Sequence, residues 1–279
     1  MGFIRTGMFP CISVEQGVSV IGKRKWQRVA TRPGYWVWVC ACWACAMCVV
    51  EGVQHWRDSR YVDTIAKQVV RDISPEDVQA RVIALREYLR ANVTFQDAVY
   101  ERREFFRVSA SQTLQSGKGY CGEVTRAFIR LAQSLGIRAK RVYLYGRVLH
   151  VVAEVELGEA GNVIVDCQNP PQVDGLPTLK QVMQRPEYDT YSNLNVRRLG
   201  LHNFLTGITV RVGLLNHWLE SPYLLRAIIW GSLAIVIGFT RLMWLAGRAL
   251  WRCYSHSSQH RVRSRPYFER IKVRIAQEV

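Results

Sequence analysis

Two uncharged apolar runs stand near the ends of the chain. Tyr35 to Val50 reads YWVWVCACWACAMCVV, and Ala227 to Thr240 is the uncharged heart of a stretch from about Leu224 to Trp244. A helix needs about 20 residues to cross the hydrocarbon core of a bilayer, so the first run is short for a span. Trp36 and Trp38 suit an interfacial belt at one end of it. Arg226 and Arg241 flank the second run, where their stems can lie along apolar surface while the guanidinium groups reach the two interfaces. We read transmembrane helices over 35–53 and 221–246. The first run has a rival reading as a signal sequence with Ala44-Cys45-Ala46 as its cleavage site, which the long leading segment disfavours. The second has a rival reading as a buried core helix.

Between these runs the pattern is that of a globular domain, residues 54–220. Ser74-Pro75-Glu76-Asp77 reads as a helix start: a Ser cap, Pro in the first turn, and acids facing the positive end of the dipole. Val78, Val82, Leu85 and Leu89 follow at helical spacing. A second helix fits Cys121 to Leu135, with Phe128, Leu131 and Leu135 on one side and Gly136 as its stop. From Ile137 the period changes. Arg141–Tyr145 and Val148–Val155 read as strands, Gly158-Glu159-Ala160-Gly161 as a turn, and Asn162–Cys167 as the returning strand. Pro170, Pro171, Pro177 and Pro186 mark irregular chain, with a short helix near Leu179–Gln184. The class is α+β, with no internal repeat and no low-complexity tract. Residues 1–34 are weakly patterned, and little stable structure is expected there.

Charge decides how the apolar runs are oriented. The net charge is +16, on a background of 49% hydrophobic and 22% charged residues that is ordinary for a folded protein. Residues 1–53 carry six Lys/Arg against two acids and residues 221–279 carry ten against two, while 54–220 holds 22 against 18. The excess therefore flanks the apolar runs instead of covering the central domain. That is how a membrane protein sets its orientation, and it disfavours a nucleic-acid binder, which concentrates Lys/Arg on its folded domain or in one arm. The basic segment 1–34 and the basic tail 247–279 then lie in the cytoplasm, and the domain faces the other side, the periplasm in a Gram-negative cell.

Among the eight cysteines, Cys40, Cys42, Cys45 and Cys48 lie in the first apolar run. Their spacing is ligand-like, but thiolates need charge compensation and a polar second shell that this run does not supply. They are small apolar fillers. Cys121 is different, because it sits where the second helix begins, after Gly117-Lys118-Gly119-Tyr120. Its sulfur would feel the positive end of the helix dipole, and the glycines would leave it accessible. A thiol nucleophile also needs a base with an acceptor behind it. His150 on one hairpin strand and Asp166 on the next supply these residue types. A five-residue loop, Glu156 to Ala160, would set His150 directly opposite Asp166, whereas a two-residue turn at Ala160-Gly161 would put them on opposite faces. Cys167 follows Asp166 and alternation sends it to the other face. Glu123 and Glu154 read as capping or solvent contacts, and His55, His202, His217, His256 and His260 as non-ligands.

Gly119-Tyr120-Cys121-Gly122-Glu123, Arg126-Ala127-Phe128 and Leu135-Gly136-Ile137-Arg138-Ala139 resemble the helix of the transglutaminase-like superfamily. His150-Val-Val-Ala-Glu-Val155 and Val163-Ile-Val-Asp166 resemble its His and Asp strands, in order and with similar spacing. The resemblance covers roughly residues 72–185. It implies a papain-like fold in which a helix bearing the catalytic Cys121 packs on an antiparallel sheet bearing the catalytic His150 and Asp166. It also implies acyl transfer from amides through a thioester. Gln115, six positions before the nucleophile, is placed like the oxyanion donor of papain-type enzymes, with the Cys121 backbone N–H as a second candidate. The alternative for Gln115 is a plain polar residue of the preceding loop.

The expected function is a membrane-anchored thiol enzyme acting on a protein or peptide substrate, by hydrolysis in preference to crosslinking, since water is the default acyl acceptor. The rival is a non-catalytic module of the same fold that binds within a cell-envelope or polysaccharide assembly. No cofactor or metal is expected. The family has calcium-dependent members, but no D-x-D-x-D-G loop is present.

Overall fold

The computed structural model describes residues 33–96, 108–158, 161–197, 199–205 and 220–277. The basic segment before Pro33, the turn residues Glu159 and Ala160, His217, and the side chains of His202, His256 and His260 lie outside the described residues. Contacts divide the chain into two compact units, one spanning Ala46–Gly231 and one holding the remaining parts of the two longest helices.

Those helices are α1 (Pro33–Val69) and α7 (Pro222–Gln277). Each contains a stretch long and apolar enough to cross a membrane, within Tyr35–Val69 and Pro222–Arg252. In α7, Trp244 is faced by the guanidinium groups of Arg241 and Arg248, 4.2 and 4.1 Å from its ring centre, a cation–π pairing suited to an interfacial tryptophan. α1 does not stop where its apolar run stops. It continues unbroken until Val62 and Ala66 are buried in the domain core and Asp58 is 3% exposed.

The first helix of the domain, α2 (Val78–Asn92), starts later than the sequence suggests. Asp77, not Ser74, is its cap and accepts from the Ala80 N–H at 2.8 Å, while Ser74–Asp77 close a turn of their own. The physical reason is reach: an N-cap side chain serves the amides two or three residues on, and the first periodic apolar residue is Val78. α3 (Ala110–Ser116) follows, capped by Ser109, and Gly117 ends it in the left-handed region at φ 64°. Thr94–Phe95 (β1) and Lys118–Gly119 (β2) then form a two-residue parallel ladder. α4 (Cys121–Ser134) is the central helix, with Val124, Ala127, Phe128, Leu131 and Ala132 fully covered.

The main sheet is antiparallel, ordered β5-β4-β3-β6, from β3 (Ala139–Gly146), β4 (His150–Glu156), β5 (Asn162–Val165) and β6 (Tyr188–Ser192). β6 is an edge strand in the region expected to be irregular; Tyr188-Asp-Thr-Tyr-Ser192 follows Pro186 and is too short and polar to announce itself. One sheet face, with Ala153, Val155, Val163 and Val165, packs on α1, α2 and α4. The other, with Val142, Leu144, Val152 and Ile164, packs on Val182 of the short helix α5 (Leu179–Val182) and on Tyr188. A further short helix, α6 (His202–Leu205), precedes α7.

The β4–β5 pairing corrects one expectation. Glu156 pairs with Asn162 and Ala153 with Val165, so the loop runs from Leu157 to Gly161, closed by the Leu157 N–H donating to the Gly161 carbonyl at 2.9 Å. This loop also has five residues but starts one later than Glu156–Ala160. His150 and Asp166 are therefore diagonal neighbours, not directly opposite. A slip of one residue at each end preserves the face, because side chains alternate with period two.

At Gly146, β3 runs against β6 so closely that a Cβ would overlap the Glu187 carbonyl oxygen and stand 2.9 Å from Tyr188 Cα. Both neighbours are backbone and cannot rotate away. Gly146→Ala is expected to cost about 1–3 kcal/mol, the usual range for overpacking, read as a lowered melting temperature of the detergent-solubilised protein.

Candidate active site

Cys121 occupies the first position of α4, with Tyr120 before it as the cap residue. Glu123 accepts from the Tyr120 N–H at 3.2 Å, so this acid caps the helix start. The first amides of a helix have no acceptor in a preceding turn, which places the sulfur at the positive dipole end, within reach of the Gly122 N–H. Gly119 sits at a close approach, since a Cβ there would stand 3.1 Å from Thr113 Cγ2 and that side chain would have to give way. The thiol is half-buried and packs beside Tyr143, Tyr145, Val151 and Val196.

His150 opens β4 and is 1% exposed. Its Nε2 lies 2.8 Å from Asp166 Oδ2. Asp166, also 1% exposed, follows directly on the end of β5 and accepts three backbone donors besides: Gln168 N–H at 2.9 Å on Oδ1, and Gln172 N–H and Val173 N–H at 2.8 and 3.0 Å on Oδ2. A carboxylate so held cannot turn, and it fixes the imidazole with Nε2–H donating. Nδ1 is buried and makes no hydrogen bond among the described residues; it is the nitrogen left for Cys121, whose thiol is near enough for the two groups to shift each other's protonation.

The two halves arrive from opposite faces. Val151, beside Cys121, has the parity of the helix-side residues Ala153 and Val155, whereas His150 and Asp166 share that of Val152 and Ile164. They meet because β5 ends at Val165, paired with Ala153, and leaves the first residues of β4 without a neighbour on that side. The exposed backbone of Val151 is taken up by α4: Thr125 Oγ1, one turn beyond Cys121, donates to the Val151 carbonyl at 2.8 Å.

The electrostatics follow from this packing. Burial pushes the Cys121 thiol up, but the hydrogen bond and charge of His150, with the amides of Val151 and Gly122, bring it below its ordinary value. Burial pushes His150 down, yet its bonds to Asp166 and Cys121 outweigh this and raise it to about 9. Burial likewise raises Asp166, and the His150 hydrogen bond and backbone donors bring it down below the usual carboxylate value. All three shifts run in the direction that favours the charged form of the group concerned.

Other residues singled out from sequence lie apart from this cluster. Gln115 is on the helix α3, not in a loop; it is exposed, and its side chain makes no hydrogen bond among the described residues. Glu154 accepts from Asn162 Nδ2 at 2.8 Å and pairs with Lys140 at 3.0 Å, a sheet contact. Cys167 faces the helix-side core, where burial drives its thiol well up. Among the described residues no group of three or more His, Cys, Asp or Glu side chains is arranged to hold a metal ion. Sequence reasoning missed the Gln172 and Val173 amides, Thr125 and Arg141. Only Arg141 carried a signal, as a charge at an interior strand position.

A family model described as the transglutaminase-like superfamily core matches residues 63–167, a span that contains all three side chains of the cluster. Residues 63–167 form a transglutaminase-like core. No curated protein matches the chain. Among solved structures, a Cytophaga hutchinsonii protein put forward as a cysteine protease is 21% identical, over 43% of this chain and 40% of its own, with a TM-score of 0.35. One from Parabacteroides distasonis, put forward as a protease, is 12% identical over 48% of this chain and 31% of its own, TM-score 0.30. The calcium-bound LapG of Legionella pneumophila is 11% identical over 51% of this chain and 80% of its own, TM-score 0.37. The chain thus spans less than half the length of the first two. The transglutaminase-like core supplies α4, the sheet strands β3–β5 and the buried pair; β6, α5 and α7 lie beyond the matched span.

The pair fixes a pH window. His150, raised from 6.5 to about 9, contributes stability that is full below its unfolded value and is lost as pH rises through about 9. Asp166, lowered from 3.8, contributes stability present above that value and lost as pH falls through its folded one. Asp166→Asn is therefore expected to melt below wild type near neutrality, with the difference shrinking as the pH is taken above 9. A difference that stays constant across that range would contradict the assignment.

Proposed function

We propose that the transglutaminase-like core is a membrane-anchored thiol enzyme that cleaves amide or peptide bonds, with Cys121 as nucleophile, His150 as base and acid, and Asp166 as the residue that orients it. The observation carrying this reading is the buried His150–Asp166 pair, 2.8 Å apart, with Nδ1 left toward a thiol held below its ordinary value. A structural histidine has no need of a partly exposed thiol on its second nitrogen.

The chemistry runs on these groups. The Cys121 thiolate adds to the substrate carbonyl carbon, and the C=O pair moves onto oxygen. As the oxyanion collapses, the C–N bond breaks and His150 gives its Nδ1 proton to the leaving amine. The product is a Cys121 thioester and a neutral imidazole. Water then attacks the thioester carbonyl while His150 takes its proton, the C–S bond breaks, and the carboxylic acid leaves with the thiolate and imidazolium restored. Asp166 keeps Nε2 protonated throughout, so Nδ1 alone exchanges the proton. The Cys121 N–H, at the first position of α4, is the donor best suited to the oxyanion; Gln115 would have to turn inward from an exposed position to assist. The acyl acceptor is water in preference to an amine.

The domains implied are a cytoplasmic segment 1–34, a first span over 35–53, the enzyme over 54–220, a second span over 221–246 and a cytoplasmic tail 247–279. The support is two helices of sufficient length and apolarity, with basic residues on their outer flanks. The enzyme then faces the outside of the inner membrane and takes a protein or peptide substrate there.

Rate profiles test the chemistry. Wild-type Cys121 is expected to react with iodoacetamide below the ordinary thiol range, and His150→Ala to abolish that reactivity, with labelling assigned by comparison with Cys121→Ser. Ordinary thiol behaviour in both proteins would leave a binding module of the same fold as the better reading. Topology is tested separately: a reporter fused after residue 279 should be active only in the cytoplasm, and one inserted in 54–220 only outside it.

A further inference from the structure

Outside the cluster, the largest concentration of buried charge lies against the first turn of α4. Arg141, 2% exposed on β3, points to the helix side of the sheet, since it pairs with Ala153. Its Nε donates to Glu220 Oε1 at 2.7 Å, its Nη2 donates to Glu220 Oε2, and its Nη1 donates to the Gly122 carbonyl at 2.8 Å. Glu220 is 2% exposed and also lies 3.6 Å from Nε of Arg126, itself on α4 and bonded to the Val108 carbonyl at 2.7 Å. Asn193 Nδ2 holds the Arg141 carbonyl at 2.6 Å, and the guanidinium stands 5.7 Å from the Tyr143 ring centre.

Burying this set is expensive, because each ion gives up several kcal/mol of hydration. A leucine on β3 would fill the space without that cost. What the guanidinium adds is its fork: one edge is fixed bidentately by a carboxylate, and the remaining nitrogen is thereby aimed. It is aimed at the carbonyl of the residue after Cys121. The same helix turn is bound to β4 through Thr125 and the Val151 carbonyl. The start of α4 is thus fixed to two adjacent strands, β3 and β4, and the second of these carries His150.

We propose that Glu220 is a positioning residue for Cys121: it orients Arg141, which holds the Gly122 carbonyl and so sets the first turn of α4 against β4. This rests on the thiol-enzyme reading of the site. Glu220 contributes from outside the span that matches the family, one residue before Ser221, whose hydroxyl accepts from the Leu224 N–H at 3.3 Å at the start of α7. The side chain that settles the nucleophile's helix therefore belongs to the root of the second long helix.

The test compares wild type, Glu220→Gln and Arg141→Lys in the full-length detergent-solubilised protein. Two readouts are taken: the melting temperature, and the pH midpoint of iodoacetamide labelling at Cys121. Glu220→Gln keeps the shape but weakens the hold on the fork. Arg141→Lys keeps the ion pair but cannot reach the carboxylate and the Gly122 carbonyl together, and it serves if Glu220→Gln does not fold. With a cooperative melt retained, the midpoint is expected to rise by about one unit, so that labelling at a fixed pH below it falls on the order of ten-fold. Folded variants with a lower melting temperature and an unmoved midpoint would overturn the proposal and leave a purely structural ion pair. A wild-type midpoint in the ordinary thiol range would remove the enzyme reading itself, and the proposal with it.

Discussion

A carboxylate buried in apolar surroundings must have its lone pairs filled, and the domain is arranged around filling those of Asp166. An ionised group taken out of water without partners would simply take up a proton. Here the chain folds back after β5 so that the amides of Gln168, Gln172 and Val173 converge on the two oxygens, and the imidazole of His150 completes the set. The backbone donors do not titrate, so the charge they stabilise is always available to the imidazole. Asp166 in turn raises His150 against the effect of burial, and His150 is the neighbour that lowers the Cys121 thiol against its own burial.

The thiol side is built by different means. α4 is an amphipathic helix whose Phe128 and Leu131 are held by the packed core, and its first turn projects past the end of a short strand. Had β5 been two residues longer, the Val151 backbone would face a β5 neighbour instead of Thr125. The shortness of one strand and the position of one helix start together create the gap in which the two faces of the sheet meet.

Much of this was legible in the sequence because it is local. Helix α4 and the strands β3, β4 and β5 could be read from periodicity and Gly136, and motif spacing singled out Cys121, His150 and Asp166 as the candidate site. What escaped depended on distance or on small offsets. The Ser74 start lost to Asp77 because an N-cap serves the amides two or three residues on, and the apolar face of the helix begins at Val78. The hairpin shifted by one residue at each end because the loop closes through backbone groups of Leu157 and Gly161, which no side-chain pattern records. β6 and the β1–β2 ladder are too short to show a period. The Arg141–Glu220 pair joins residues 79 apart, and no local rule connects them.

The charges of the chain divide by location in a way that composition alone conceals. Much of the basic excess lies along the sequence on the outer flanks of the two apolar runs. Several of the basic residues within the domain are held by particular acceptors: Arg90 Nη2 donates to the Asp166 carbonyl at 2.9 Å, Arg130 Nη2 to Ser59 Oγ at 2.8 Å, and Arg141 to Glu220. The last of these pairs bears on where the domain ends. A boundary drawn by homology falls at Cys167, and one drawn by the sheet falls at Ser192. Either cut removes Glu220 and leaves the guanidinium of Arg141 buried without its carboxylate. The compact unit Ala46–Gly231 is consequently longer than the matched span 63–167, and it takes in the root of α7 along with the strands.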